Sequence, residues 1–515
     1  MNSSRAETAS VADRADGAAV AMPFAAVVLA MLPAVLDQTI LATALPVIAS
    51  DVGGLSDISW VVTAYVVAAA ATTPLWGKLG DRRRRKHLLE VSLVVFVVSS
   101  ALCGAAQDIT QLVVLRLVQG AAAGGLMALA MAAVGDLVAP RERGRYQGYI
   151  AATFAVATVV GPLLGGLLVE IASWRWVFFV NLPVGVAALV GLSLRLPAPE
   201  VQRPESPLDG LGAVLLAGAT CALMLTCIWG GDRYAWDSAP ILALIGATIV
   251  LSGALVAVER RARDPIVPLH LLRTRTVAVA SAALFLAIAA LFSITVFVPL
   301  FLQTTTGATP TEAGLLLVPA MLGITVSTTL SGRSIARTGR YKRFPVAGLT
   351  MMTAALALLA ALAGQPSRVA TGVALVLFGL GFGMVTQVLI TAVQNSVDRR
   401  ELGIATATTG FFRALGGAAG AAVLGAVFAA QAGTRVSGGT APGLDGALRS
   451  DVIAGVQAVF LVAAPIAAVA LITVLFLREV PLQGRAGTQG ANRHGDAARA
   501  DGPDEGVRVA AGTAR

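Results

Sequence analysis

Apolar runs of about 20 residues recur from one end of this chain to the other, and each is long enough to cross a bilayer as a helix. Hydrocarbon offers no partner for a backbone N–H or C=O. A chain of such runs therefore folds as a bundle of helices that satisfy their own backbone. Fourteen spans fit the sequence, at about 24–49, 59–77, 87–106, 109–138, 146–169, 177–196, 210–229, 240–258, 276–303, 313–331, 345–363, 368–393, 403–430 and 453–477. An even number puts both termini on one side. The loops on that side carry Lys78, Arg82 to Lys86, Arg141, Arg143, Arg145, Arg195, Arg203, Arg260, Arg261, Arg263, Arg273, Arg275, Arg333, Arg337, Arg340, Lys342, Arg343, Arg399 and Arg400. The opposite loops carry Arg175, Arg233, Arg368, Arg435 and Arg449. The positive-inside rule makes the basic side, and both termini, cytoplasmic.

Composition agrees: 56% of the 515 residues are apolar and 13% charged, half the usual soluble share. The net charge of +9 lies in short loops between spans, so nucleic acid is not an expected partner. Cys103, Cys221 and Cys227 fall inside apolar runs without metal-ligand spacing and read as core residues. The residues before span 1 include Glu7, Asp13 and Asp16 and no apolar run, so span 1 itself directs insertion. Residues 1–23 and 479–515 are low in large apolar residues and are expected to be disordered cytoplasmic tails. The Gly-rich stretch from Gln431 to Ser450 reads as a flexible external loop. No H-E-x-x-H, G-x-S-x-G or Walker A pattern is present. The expectation is a protein that is not an enzyme, binds no metal or cofactor, and draws any uphill work from an ion gradient.

Asp37, in Leu36-Asp-Gln-Thr-Ile-Leu-Ala-Thr-Ala-Leu-Pro46, lies midway along span 1. A carboxylate at that depth costs roughly 2.5–3.5 kcal/mol on insertion scales, so it must face protein or water. Its surroundings disfavour the charged form, which suits a group that takes up and releases a proton. Pro33 and Pro46 flank it and disturb the helix. A structural acid held by a neighbouring donor is the plainer alternative.

Three further patterns stand out. Gly77-Lys-Leu-Gly-Asp-Arg-Arg-Arg-Arg-Lys86 joins spans 2 and 3. Gly77 allows a tight turn, and Asp81 can accept bonds from Arg side chains or from a helix N-terminus on the other half. The loop Ser331 to Arg340 answers it across the chain without a matching acid, so the latch is asymmetric. Arg116 lies about 10 Å into span 4, where a permanent charge needs acceptors; Gln119 is one turn away, and snorkelling to the interface is the alternative. In span 5, Ala157, Gly161 and Gly165 form a flat face for helix contact, beside Pro162 and Gly166. Trp174 and Trp176 read as interfacial anchors, and Thr309 to Glu312 as a capping box. Arg413 is a second deep cation, structural or substrate-facing. Candidate cavity residues are Asp37, Gln38, Tyr65, Phe154, Phe292, Gln387, Phe412 and Arg413, with helix packing the alternative for each aromatic and amide.

GKLGDRRRRK resembles the signature loop of the major facilitator superfamily. LDQTILATALP, RLVQG and GPLLGG resemble, in order, motifs of its fourteen-helix drug:proton antiporters, and SWRWVFFVNLPVG fits the same branch. The similarity covers about residues 24–478. It implies an all-α major facilitator fold: six-helix bundles over 24–196 and 276–478, and an inserted helix pair with its connectors over 197–275. It implies Asp37 and Arg116 as the proton-coupling pair, Gly77, Asp81, Arg82 and Arg85 as the gate, and Gly161, Pro162, Gly165 and Gly166 as the antiport hinge. Arg84 stands where the family usually has Gly.

The function expected on this basis is proton-driven export of a small lipophilic or monocationic drug from the cytoplasm or inner leaflet, by a monomer in a bacterial inner membrane. A dedicated exporter of one self-made metabolite is the alternative, and a non-transporting receptor a third. Moving one proton down 100 mV yields about 2.3 kcal/mol, which sustains roughly a 40-fold gradient of a neutral drug. With one acid near mid-membrane, low proton stoichiometry and a preference for neutral or monovalent substrates over dications follow.

Overall fold

The computed structural model describes residues 2–52, 58–138, 142–197, 209–231, 233–262, 264–267, 269–306, 317–362, 367–432 and 446–479. Residues 433–445 of the loop expected from Gln431 to Ser450, the capping box expected at Thr309 to Glu312 and the chain after Glu479 lie outside them, while 431–432 and 446–450 are helical. The described residues are helical almost throughout. The first half comprises α1 (Asn2–Val52), α2 (Ile58–Arg82), α3 (Arg85–Gly104), α4 (Ile109–Leu137), α5 (Arg143–Ile171) and a broken sixth span, α6 (Trp176–Phe179) with α7 (Asn181–Arg195). The inserted pair is α8 (Gly210–Trp229) and α9 (Ala239–Glu259), followed by the short α10 (Leu269–Arg273). The second half comprises α11 (Arg275–Phe292), a π-helical turn over Ser293–Phe297, α12 (Val298–Thr306), α13 (Val318–Thr338), α14 (Arg343–Leu362), α15 (Arg368–Ser396), α16 (Leu402–Ala432) and α17 (Gly446–Leu475).

Local chemistry sets several boundaries. Asp108 and Asp209 cap α4 and α8, accepting from the N–H groups of Gln111 and Gly212 at 2.8 Å, as short acceptors at a helix start do. Gly339 ends α13 with φ of 69°, a left-handed cap that glycine adopts without cost. At the N-terminus α1 starts at Asn2, within the stretch 1–23 that the sequence reads as a tail. This stretch is rich in Ala, the strongest helix former, and it extends a helix already nucleated in the bundle.

Among the described residues, thirteen helical segments are long and apolar enough to cross a membrane. The remaining expected span, 313–331, corresponds over its described residues to α13, which carries Ser327, Thr328 and Ser331 buried. The Thr328 hydroxyl donates to the Gly383 carbonyl of α15 at 3.0 Å. Its polarity is satisfied within protein, which hydropathy alone does not register.

Each half has its own apolar core, one around Val27, Met31, Leu89, Phe96, Leu126 and Ile150, the other around Leu284, Met352, Phe378, Leu389, Ile404 and Phe460. The inserted pair is asymmetric. Met224 of α8 is fully buried against Val67 and Ala70 of α2, with Ala414, Leu415 and Ala418 of α16 packed on the same cluster. So α8 covers the seam between the halves. The other helix, α9, leaves most of its side chains outward, with Ile249 and Val250 two-thirds exposed.

Candidate functional site

The residues of the expected proton-coupling pair meet. Asp37 is fully buried and Arg116 nearly so, and the Arg116 Nη1 donates to Asp37 Oδ2 at 2.5 Å. Asp37 Oδ1 accepts from Gln119 Nε2 at 3.0 Å and from Asn181 Nδ2 at 3.3 Å. Arg116 also donates to Gln119 Oε1 at 2.8 Å and through Nε to the Val61 carbonyl at 3.1 Å. Its guanidinium lies 4.1 Å from the Tyr65 ring centre, and the Tyr65 hydroxyl donates to the Ala34 carbonyl at 3.2 Å. Four helices, α1, α2, α4 and α7, thus converge on one ion pair. Arg116 does not snorkel: its charge is met inside. Chemically, the arrangement is a compensated ion pair. Protonating Asp37 would remove the charge that holds Arg116 and free the guanidinium to seek other acceptors.

Asn181 is the member that sequence reasoning missed. It lies in the stretch read as an outer turn, and its side chain also donates to Ser100 Oγ at 3.1 Å. The available signal was a single amide inside VFFVNLPVG. Trp174, from the same stretch, is 2% exposed and donates to Asp51 Oδ2 at 2.7 Å. It is a buried brace at the outer end rather than an interfacial anchor. Trp176 is half exposed, as an anchor would be. Bonds from Trp174 and Arg175 hold the Asp51 carboxyl below the usual carboxylate range.

The residues expected to form a gate lie at the end of the bundle where the basic loops gather. Asp81 Oδ1 and Oδ2 accept from the Gly403 and Ile404 N–H groups, both at 2.7 Å. These are orphan donors in the first turn of α16, where a carboxylate is favoured by both bonding and helix dipole. Arg85 Nη2 donates to Asp81 at 2.8 Å and its Nη1 pairs with Asp136. Gly77 lies against α16 so closely that a Cβ there would be 2.9 Å from the Gly403 carbonyl oxygen. Arg82 pairs with Asp264 Oδ2 at 2.9 Å, as Lys78 does with Oδ1 at 2.5 Å. Asp264 belongs to the connector after the inserted pair, and nothing in an acid within a basic loop announces such a partner. Arg84 adopts φ −58°, ψ 107°, a conformation open to any residue, so the local backbone does not require Gly there.

A second fastening crosses the halves nearby. Arg143 Nη1 donates to the Gln394 carbonyl at 3.1 Å, and Gln394 Nε2 to the Met131 carbonyl at 3.2 Å. Gly144 and Gly332 bring α5 and α13 into backbone contact. The conformer is closed to the cytoplasm.

The hinge residues divide. Gly161 and Gly165 pack on α1, the first against Thr39 and the second against Ile40 and Thr43, and the Thr39 hydroxyl donates to the Ala157 carbonyl at 3.3 Å. Pro162 and Gly166 point outward, and a Cβ on Gly166 would meet nothing within 4 Å. The flat face therefore grips α1 immediately after Asp37. Gly165→Val should force a backbone shift, since even a Cβ would lie 2.6 Å from the Ile40 carbonyl oxygen. The overpacking cost is about 1–3 kcal/mol, read as a lower unfolding temperature in detergent, whereas Gly166→Ala should leave it nearly unchanged.

Of the candidate cavity residues, Tyr65 belongs to the ion-pair cluster and Gln38 is exposed. Phe154, Phe292 and Phe412 are half-buried, Phe412 stacking edge-on with Phe411. Gln387 is 8% exposed and its Oε1 has no partner among the described residues.

Comparison with known proteins places the chain. The Major Facilitator Superfamily profile matches residues 27–421. The chain belongs to that family. An uncharacterised MFS-type transporter of Mycobacterium tuberculosis is 38% identical over 89% of this chain and 69% of its own length. The multidrug transporter protein MdtP of Bacillus subtilis is 34% identical over 81% of this chain and 77% of its own. Among solved structures, the human organic anion transporter MFSD10 superposes with a TM-score of 0.64 at 17% identity, covering 88% of this chain and 99% of that one. A likeness at that identity speaks to the fold alone. The protein is a multi-pass membrane transporter of the superfamily, with multidrug efflux proteins among its relatives.

Proposed function

We propose that this transporter is a proton-coupled antiporter that exports lipophilic drugs or antibiotics across a bacterial inner membrane by alternating access, acting as a monomer. The observation that carries the reading is the Asp37–Arg116 pair, buried at mid-membrane and held by α1, α2, α4 and α7. A proton arriving from outside neutralises Asp37 and releases Arg116. The loss of that attraction alters the packing of α1 on α4, and the Gly161–Gly165 face carries the change into α5. The cytoplasmic fastenings then part. Loss of the proton to the cytoplasm restores the pair and recloses the gate. The proton motive force supplies the work. Relatives named for multidrug efflux favour drug export within this scheme.

The test is uptake of a neutral lipophilic dye into everted vesicles that hold an acidic lumen. Proton-driven accumulation that an uncoupler abolishes supports antiport. Accumulation that persists after the proton gradient collapses would refute it.

A further inference from the structure

The charge at mid-membrane is not balanced between the two halves. Asp37 faces Arg116, and the pair is neutral and closed off from water. Arg413 of α16 has no ion pair or hydrogen bond among the described residues and is only partly buried. It lies eleven residues past Leu402, about 16 Å along the helix, at a depth where a bare cation is costly.

Register shows where it faces. Two turns nearer the cytoplasm, Thr406 accepts from Gln394 Nε2 of α15 at 3.4 Å. The helices run antiparallel. Seven residues onward in each, two turns return to nearly the same face. That step leads from Thr406 to Arg413 and from Gln394 to Gln387. Arg413 and Gln387 therefore share one depth on the faces that α15 and α16 turn toward each other and toward the first half. Gln387 brings a buried amide oxygen without a partner. Beside Arg413, Gly410 and Gly417 leave only ordinary contacts, a Cβ on either lying 3.7 Å from Thr73 or 3.6 Å from Ile288. A guanidinium and an amide acceptor, neither with a hydrogen-bond partner among the described residues, thus lie at one depth, and the two glycines on the face of Arg413 put no side chain of their own beside it.

We propose that Arg413 and Gln387 form an anion-recognition subsite in the second half, and that the exported substrate is a lipophilic monoanion such as a carboxylic acid carrying a hydroxyl. The guanidinium takes the carboxylate in two parallel bonds and Gln387 accepts from the hydroxyl. The proposal rests on the export reading and deepens it. It reverses the charge expected from sequence, because Asp37 offers no free carboxylate to a cation in this conformer while Arg413 offers a free cation. Exporting a monoanion against an inward proton moves two charges in the same electrical direction, so its efflux rises with membrane potential, whereas exchange of a monocation for a proton is insensitive to it.

The test compares fusidic acid, a lipophilic hydroxy acid, with its uncharged methyl ester, by equilibrium binding to the purified full chain in detergent. Wild type should bind the acid about tenfold tighter than the ester, the worth of one charge-assisted contact. Arg413→Gln should bring that ratio close to one, and Arg413→Lys should keep part of it. Gel filtration and unfolding temperature check that the variants are folded. A ratio unchanged by Arg413→Gln, a wild type that prefers the ester or ethidium, or a wild type that does not bind the acid would each overturn the subsite. Proton-driven transport in proteoliposomes separates the two readings. Acid preference in binding with no proton-driven movement of acid, ester or ethidium keeps the subsite and removes antiport. Proton-driven movement of ester and ethidium without acid preference keeps antiport and removes the subsite.

Discussion

Asp37→Asn should abolish proton-driven efflux and also lower the stability of the protein, and the two losses should be separable. The amide cannot titrate, so the proposed cycle would lose its proton carrier. It also leaves Arg116, 1% exposed and surrounded by Gln119, Tyr65 and the Val61 carbonyl, with no opposing charge. Breaking a buried pair from one side costs about 3–5 kcal/mol, because the remaining charge stays desolvated. Arg116→Gln should be destabilising for the mirror reason, though less so. The Asp37 carboxylate left behind keeps the amide donors of Gln119 and Asn181, whereas Arg116 left alone has no acceptor of opposite charge. The double variant Asp37→Asn/Arg116→Gln removes both charges and keeps hydrogen-bonding groups in both places. It should recover most of the unfolding temperature and none of the transport. Thermal unfolding in detergent and dye uptake in everted vesicles read the two effects side by side. Undiminished efflux in Asp37→Asn would move the proton site elsewhere. An unfolding temperature no higher in the double variant than in Asp37→Asn would show that the charges are not coupled.

The parts of this site that were legible in the sequence are those where a charge stands out against an apolar run. Asp37 and Arg116 are visible because hydrocarbon tolerates neither unless it is paired. Gln119 follows from helical spacing, since one turn separates it from Arg116. Asp81 was legible as an acceptor for a helix N-terminus, but two of its three donors are backbone N–H groups more than 300 residues away, and backbone donors carry no sequence signature. Asn181 was obscured because α6 and α7 break just before it, so an amide that reaches the pair looked like part of a turn. Arg143, Asp136 and Asp264 sit in polar ends and connectors, where a charge is expected whether or not it has a specific partner. The span over 313–331 was legible from its length and position, whereas the satisfaction of its Ser and Thr residues was not, because only packing on α15 shows where Thr328 donates.

The gate gives the other large expected effect. Asp81→Asn should shift the conformational equilibrium toward the cytoplasm-open form. In the closed form the Asp81 carboxylate accepts two N–H bonds from the start of α16 and one from Arg85. An asparagine can keep at most one oxygen there. It turns an amide donor toward the helix start and leaves Arg85 with Asp136 alone. A bond to a charged group contributes about 1.5–3 kcal/mol net, so losing one such bond and weakening the others changes the closed-to-open ratio by a factor of at least about ten. The same Asp81 contacts cannot exist once the halves part, so the whole difference acts on the equilibrium instead of cancelling between states. Spin labels on Arg83→Cys and Arg400→Cys, both exposed at the cytoplasmic end, would report it, in a background with Cys103, Cys221 and Cys227 replaced. The wild type should give one short distance, and Asp81→Asn should add or favour a longer one. Asp81→Glu should fall between them, because the charge is kept but the longer side chain cannot seat both oxygens on Gly403 and Ile404 while Gly77 holds α2 this close. An unchanged distance distribution in Asp81→Asn would place the latch in the Arg143–Gln394 and Gly144–Gly332 contacts, which do not involve Asp81.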